Sequence, residues 1–137
     1  MERLPYVRLG QLRSKTQRVL KLEMAMVQPN EEQAEILKYL PLTESTYYIL
    51  LALVEPLHGY GVMQKVEALS HGTVKIGPGT LYGAFQALEK EALIVKVSEE
   101  ERRKSYALTT KGRQVLKVQI EHLEIMTQNG LAILGSL

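Results

Sequence analysis

The stretch VKIGPGTLYGAFQALEKEALI, residues 74–94, contains several patterns in succession. A β-like triplet, Val74–Ile76, leads into Gly77-Pro78-Gly79, and a segment with helical spacing of its apolar residues follows. That spacing predicts a helix with one buried stripe, formed by Leu81, Ala84, Phe85 and Leu88. The opposite face has few charges and consists of Thr80, Tyr82, Gly83, Gln86 and Lys90. Such a glycine-rich entry to a helix either cradles a phosphate or presents the helix to a larger partner.

The phosphate-loop interpretation is the weaker one. Helix N-termini do bind anions through their free amides. A nucleotide loop, however, needs a lysine that meets the terminal phosphates, or a three-glycine fingerprint within a βαβ unit. Neither Gly77-Pro78-Gly79-Thr80 nor His58-Gly59-Tyr60-Gly61 has these features. We therefore interpret both segments as turns that open helices.

Three helices are predicted around these turns. Asn30 and Gln33 can cap each other's backbone amides, which predicts a helix over residues 31–40 that ends before Pro41. Thr43 is the predicted N-cap of a second helix, which is apolar nearly all round and therefore central, and which stops before Glu55-Pro56. The third helix covers residues 59–70, ends at His71-Gly72, and has Val62, Val66 and Leu69 on one face.

A hairpin and a long helix are predicted after residue 93. Two alternating runs, Ile94–Val97 and Ser105–Leu108, flank the charged segment SEEERRK, which is the expected hairpin tip. Thr110 is the predicted cap of the last helix. One apolar stripe of that helix is Leu116, Ile120, Leu123 and Met126, and a second is Val115, Val118 and Ile125. Two apolar faces predict that this helix packs on its own domain and on a partner.

Together these elements predict a mainly α fold with a small β-hairpin, in the order of a winged helix-turn-helix with a C-terminal dimerisation helix. We expect a basic and disordered extension over residues 1–28, a winged-helix domain over 29–109 and the dimerisation helix over 110–137. The extension holds six Lys and Arg against one Glu over residues 1–21. Because Met24 and Met26 follow it, the hypothesis that residues 1–23 are absent from the natural product stays open.

Composition argues against an enzyme. The chain has 137 residues, a formal net charge of +2 and no cysteine, and aspartate is absent as well. Thiol catalysis, Ser-His-Asp triads and aspartate-based magnesium sites therefore each lack a usual member. His58, His71 and His122 have no metal-ligand spacing, so we expect neither metal nor cofactor. Without an apolar run long enough to cross a bilayer or a signal-peptide core, we expect a soluble cytoplasmic protein.

Double-stranded DNA suits the predicted geometry better. The B-DNA major groove admits a helix whose N-terminal side chains reach base edges. Gln86 can pair with adenine, Gly83 permits close approach, and Thr80 and Tyr82 can bond phosphate oxygens. The positive charge that this helix lacks is expected from the hairpin tip, with contributions from two lysines elsewhere. These residues are Arg102, Arg103 and Lys104 on the tip, with Lys65 and Lys75.

The same residues carry a family resemblance. The segment LTESTYYILLALVEPLHGYGVMQKVEALSHGTVKIGPGTLYGAFQALEKEALI, followed by ERRKSYALTTKGRQVL, resembles the PadR-like family of bacterial transcriptional regulators. The resemblance implies a homodimeric winged-helix repressor that binds an inverted-repeat operator and is relieved by an inducer, often aromatic. It implies DNA-facing positions at Tyr60, Thr80, Tyr82 and Gln86. It also implies that the C-terminal helix completes the dimer.

The chain departs from the family pattern at two points. Family members commonly have glycine where this chain has Ala92, and a left-handed alanine there would cost about 1 kcal/mol. Tryptophan is absent, which removes the stacking by which some members hold flat drugs. Two alternatives to a DNA-binding regulator stay open. One is a winged-helix module that binds proteins without direct DNA contact, and the other is a sensor dominated by its small-molecule site.

Overall fold

The structure, a computed structural model, describes residues 28–137. The predicted basic extension therefore lies almost entirely outside the described residues. Residues 36–137 form one compact unit. The helices are α1 (Glu31–Leu37), α2 (Glu44–Ala52), α3 (Gly59–Leu69), α4 (Pro78–Lys90) and α5 (Thr110–Leu134). The strands are β1 (Leu57–His58), β2 (Ile94–Glu100) and β3 (Arg103–Leu108).

These elements confirm the predicted fold class, a mainly α protein with a small hairpin in winged helix-turn-helix order. The strands form an antiparallel sheet in the order β1-β3-β2. Strand β1 was missed by the sequence analysis. It pairs Leu57 with Tyr106 and His58 with Ser105, and it is too short to show any periodicity in the sequence.

The predicted helix starts at residues 30 and 43 are confirmed. The Gln33 amide donates to Oδ1 of Asn30 at 2.8 Å, and the Asn30 amide donates to Oε1 of Gln33 at 3.0 Å. The Thr46 amide donates to Oγ1 of Thr43 at 3.1 Å. Helix α1 ends at Leu37 instead of residue 40, because the amides of Tyr39 and Leu40 bond carbonyls three residues earlier and tighten the last turn.

The core is centred on α2, as its all-round apolar sequence predicted. Ile49 and Leu50 of α2 and its C-cap residue Leu53 are fully buried. On α3, Val62 and Val66 are buried, whereas Leu69, which was placed on the same face, is 45% exposed. The buried row continues four residues on, at Ser70, whose hydroxyl accepts a bond from the Val74 amide at 3.0 Å. The chain then turns through His71 and Gly72, which both have positive φ.

The hairpin is called the wing below. Its strands are longer than predicted, and its tip is shorter. Most of the SEEERRK segment extends the two strands, and the register pairs Glu100 with Arg103 and Glu99 with Lys104. Only Glu101 and Arg102 form the turn, with φ of 50° and 68°. Positive φ at both central residues is the geometry that matches the twist of a two-residue hairpin.

Helix α5 is capped by Thr109, so the prediction of Thr110 as the cap was wrong by one residue. The Gly112 amide donates to Oγ1 of Thr109 at 3.0 Å, and Thr110 is already the first helical residue. The first half of the helix packs into the core through Val115, Leu116, Val118 and Gln119. Within residues 28–137, every helix falls short of the length or the hydropathy that spanning a bilayer requires.

Candidate nucleic-acid interface

Helix α4 presents the polar face that its sequence predicted. Gly77 is the N-cap residue and Pro78 opens the helix, where its missing N–H is not needed. Leu81, Phe85 and Leu88 are buried. The opposite face is exposed at Thr80, Tyr82, Gly83, Gln86 and Lys90. A Cβ added to Gly83 would meet no atom within 4 Å, so the surface is open at that point.

The turn after α4 connects this helix to the wing. Ala92 has a φ of 57°, so the left-handed conformation that favours glycine is present here on an alanine. The Leu93 amide donates to the Leu88 carbonyl at 2.9 Å, and the Ala92 amide donates to the Glu89 carbonyl at 3.0 Å. This pair of bonds is a Schellman motif, which closes the helix and redirects the chain into β2.

Aromatic rings join α4 to the wing. The ring of Tyr82 meets that of Phe85 edge-on at 6.2 Å, and Phe85 lies 4.8 Å from Tyr106 of β3. Burial raises the pKa of Tyr106, and the nearby carboxylate of Glu89 raises it further. The Tyr106 hydroxyl therefore keeps its proton at neutral pH and can donate a hydrogen bond.

A groove with a volume of about 520 Å³ lies between α4, the start of α3 and the wing. It is called the helix–wing groove. It brings together many of the side chains that were predicted to bind DNA. From the predicted set, it is lined by Tyr60, Tyr82, Gln86, Arg102, Arg103 and Lys104. The groove thus combines hydroxyls, an amide and positive charge on one concave face.

The remaining predicted DNA contacts lie outside the groove. Thr80 and Gly83 are exposed on α4, and Lys65 is half-buried on α3. Lys75 precedes α4 and lies 3.8 Å from Glu67, with both side chains largely exposed. An exposed pair at that distance is weak and leaves the lysine charge available to a stronger anion.

Sequence reasoning missed other residues that line the groove: His58, Gly59, Phe85, Glu89 and Tyr106. Glu89 follows Gln86 by three residues, so helical spacing alone could have indicated it. The role of His58 is local, since its Nδ1 accepts a bond from the Gly61 amide at 3.1 Å and caps α3. No sequence pattern indicated that Gly59 and Tyr106 line the groove, because packing between elements far apart in the sequence brings them there.

The wing carries carboxylates beside its basic residues. Glu99 lies opposite Lys104 and Glu100 opposite Arg103 in the strand register. The Nζ of Lys96 is 3.2 Å from Oε2 of Glu99. The wing's positive charge is therefore partly offset by its own glutamates. Within residues 28–137, histidine and carboxylate side chains do not gather into groups of three that could hold a metal ion.

The predicted dimer contacts on α5 fall into two classes. Val115 and Val118 are buried in the core of their own unit, so they have little surface to offer a partner. Ile120, Ile125 and Met126 are exposed, and Leu123 is half-buried. Further exposed apolar residues follow along the helix and at its end: Leu131, Ile133, Leu134 and Leu137. The apolar surface of α5 is thus concentrated in its second half.

Comparison with known proteins identifies relatives of this architecture. The family model "Transcriptional regulator PadR-like family" matches residues 49–118. An uncharacterized 37.1 kDa protein in transposon TN4556 of Streptomyces fradiae is 39% identical over 70 residues, which cover 50% of this chain and 20% of the relative. Transcriptional regulator YqjI of Escherichia coli (strain K12) is 32% identical over 71 residues, covering 52% and 34%. The matched segment is thus a minor part of both curated relatives.

A solved structure shares the fold. The PadR family transcription regulator from Clostridium difficile R20291 matches with a TM-score of 0.58 and 20% identity. The match covers 67% of this chain and 99% of that one. At this identity the likeness concerns the fold alone, and it confirms the winged-helix architecture.

Proposed function

The chain belongs to the PadR-like family of transcriptional regulators, and from this premise we propose that it binds double-stranded DNA through the helix–wing groove and α4. The family is one of regulators and not of enzymes. The observation that carries the proposal is the groove itself. It holds Tyr82 and Gln86 of the exposed face of α4 together with the basic side chains of the wing on one concave surface.

Helix α4 is the proposed recognition element. Its exposed face can enter the major groove, with Gln86 directed at base edges, where an amide pairs bidentately with adenine. Thr80, Tyr82 and the nearby Tyr60 of α3 present hydroxyls that can bond phosphate oxygens. Gly83 has no side chain, and a Cβ added to it would meet no atom within 4 Å, so the DNA can approach the helix closely at this point.

The wing is the proposed source of electrostatic attraction. Arg102 lies in the hairpin turn, and Arg103 and Lys104 follow it on β3. All three line the groove and are exposed. Contacts from these cations to phosphates release counterions and make the affinity fall with salt. Lys65 and Lys75 are proposed to add weaker contacts beside α4.

A homodimer is the proposed binding form. Ile120, Leu123, Ile125 and Met126 are the proposed contacts, because they lie along the part of α5 that leaves the core. A two-fold dimer would place two α4 helices on half-sites about one helical turn, roughly 34 Å, apart. It would therefore read an inverted repeat. Monomers that persist at micromolar concentration in sedimentation analysis would exclude this arrangement.

We further propose that the protein is a cytoplasmic repressor and that an aromatic small molecule relieves repression. A ligand that binds only the folded protein raises its melting temperature. A thermal scan against aromatic acids and phenols therefore tests the inducer, independently of DNA. Compounds that stabilise the protein should also release it from DNA.

The test of DNA recognition uses duplexes that the wild-type protein selects from a random pool. Selection should enrich an inverted repeat. The Gln86→Ala variant should then enrich a different sequence at one position of each half-site while its binding to random duplexes stays close to wild type. Gln128→Ala on the C-terminal part of α5 is the matched control and should leave the selected sequence unchanged. Recovery of no sequence preference would favour the alternative, a winged-helix module that binds proteins.

A further inference from the structure

Gly59 lies against the hydroxyl end of the Tyr82 ring. A Cβ added to Gly59 would be 2.8 Å from the Tyr82 hydroxyl oxygen and 3.2 Å from both Cε1 and Cζ. Gly59 is the first residue of α3 and is buried, whereas Tyr82 on α4 is 54% exposed. The tyrosine ring therefore lies across the start of the neighbouring helix, at a distance that only glycine permits.

Other contacts leave the outer end of Tyr82 without a comparable constraint. The centroid of its ring lies 6.2 Å from that of Phe85, nearly at right angles, and Phe85 is itself buried. On the other side, the backbone of Gly59 limits how far the ring can swing. The start of α3 is in turn held by the bond from the Gly61 amide to Nδ1 of His58. The location of the Tyr82 hydroxyl in the groove wall thus depends on the missing side chain at residue 59.

We propose that Gly59 is a positioning residue for DNA binding, because its lack of a Cβ lets Tyr82 lie flat enough to donate its hydroxyl to a backbone phosphate. This inference rests on the proposed function. It adds to the DNA-facing residues a buried residue, Gly59, on which DNA binding also depends. A phosphate contact of this kind fixes the register of the protein on the duplex without reading sequence.

A role in folding alone would predict a different outcome. The atoms that an alanine at residue 59 would meet belong to the side chain of Tyr82, which lines the groove and is 54% exposed. The ring can move outward, and alanine is favourable in a helix. Gly59→Ala should therefore fold normally while it displaces the hydroxyl. By contrast, a Cβ at Gly112 would meet the backbone of Leu93, which cannot move aside.

The experiment compares Gly59→Ala, Tyr82→Ala and the double variant on a duplex selected by the wild-type protein. Gly59→Ala should weaken binding to each half-site about tenfold or more, the loss of roughly one hydrogen bond to a charged acceptor per protomer. Tyr82→Ala should weaken it at least as much, and adding Gly59→Ala to that variant should have no further effect. The control is Lys117→Ala, at an exposed residue of α5 outside the groove and outside the proposed dimer contacts, and it should bind like the wild type.

Two further readouts separate positioning from folding. The ring resonances of Tyr82 in the free protein should shift in Gly59→Ala, with no fall in melting temperature. Tyr82→Phe leaves residue 59 untouched and should also lose about tenfold or more in affinity for each half-site. Wild-type affinity in Gly59→Ala or in Tyr82→Phe would overturn the inference, as would an equal loss from Gly59→Ala with and without Tyr82. Failure of the wild-type protein to select any duplex would instead contradict the proposed function.

Discussion

The ring of Phe85 on α4 lies 4.8 Å from the ring of Tyr106 on β3, with an angle of 47° between their planes. Phe85 is buried and Tyr106 is half-buried, so this contact joins the proposed recognition helix to the wing at the base of the groove. Such pairs contribute about 0.5–1.5 kcal/mol beyond the area they bury. The distance between the two walls of the groove is therefore set by packing and not by flexible side chains.

Loss of the Tyr106 ring should loosen the wing. We expect Tyr106→Ala to lower the free energy of unfolding by about 1–3 kcal/mol, since it removes a half-buried ring and its partner contact. DNA affinity should fall with it. Urea denaturation and duplex binding measure the two effects. Tyr106→Phe keeps the ring and is the control, so an equal loss of stability in both variants would show that the hydroxyl matters and not the aromatic contact.

Alkaline pH should destabilise the protein through Tyr47 and Tyr106. Burial is the main cause of the raised pKa in both, assisted by Tyr48 for the first and by Glu89 for the second. The unfolded chain loses these protons near pH 10.0 while the folded chain retains them. Stability is therefore unaffected below that pH and falls as pH rises toward the folded values. Tyrosinate absorbance at 295 nm should show a late component that Tyr47→Phe and Tyr106→Phe each reduce.

Ala92 should be a point where the chain can be stabilised. Its φ of 57° lies in the region that an alanine occupies at a cost of about 1 kcal/mol or more. Ala92→Gly should therefore raise the free energy of unfolding by at most about 1 kcal/mol, because the extra chain entropy of glycine offsets part of the relieved strain. Ala87→Gly, at an exposed site inside α4, is the control and should lower stability by a similar amount. Thermal unfolding of both variants distinguishes strain at Ala92 from a general effect of glycine.

Gly112 should not tolerate any side chain. A Cβ on it would overlap the carbonyl oxygen of Leu93, and the Thr109 amide donates to that same carbonyl at 3.1 Å. Because the obstructing atoms are backbone, Gly112→Ala must separate α5 from the turn after α4. We expect a loss of at least about 2 kcal/mol, in the range of overpacked cores. Gly130→Ala, on the same helix in open space, should be neutral or slightly stabilising, and calorimetry on the pair measures the difference.

The sequence could predict those parts of the fold that depend on near neighbours. The caps at Asn30 and Thr43 join residues three apart, and the buried stripe of α4 follows from helical spacing. Positions that depend on distant partners were missed or misplaced. Strand β1 forms because Leu57 pairs with Tyr106, which is far along the chain. Leu69 has the right spacing for the core, but the helix ends there and Ser70 is buried in its place.

The candidate site divides in the same way. The polar face of α4 and the basic tip could be predicted from composition and period, since each lies on one element. The groove between them requires three elements to pack, so Gly59 and Tyr106 became visible as groove residues only in the structure. The spacing of apolar residues identified the two apolar stripes of α5. It could not show that Val115 and Val118 are buried in the core of their own chain.

The salt dependence of DNA binding tests the central claim most directly. A wild-type-selected duplex is titrated over a series of salt concentrations, and the slope of log affinity against log salt is compared with that of Arg102→Ala/Arg103→Ala. Because each lost phosphate contact removes about one unit, the slope should become shallower by about two for each protomer, or about four for the dimer. Lys117→Ala, an exposed lysine outside the groove, should keep the wild-type slope. An unchanged slope in the double variant would contradict the assignment of the wing to the DNA interface.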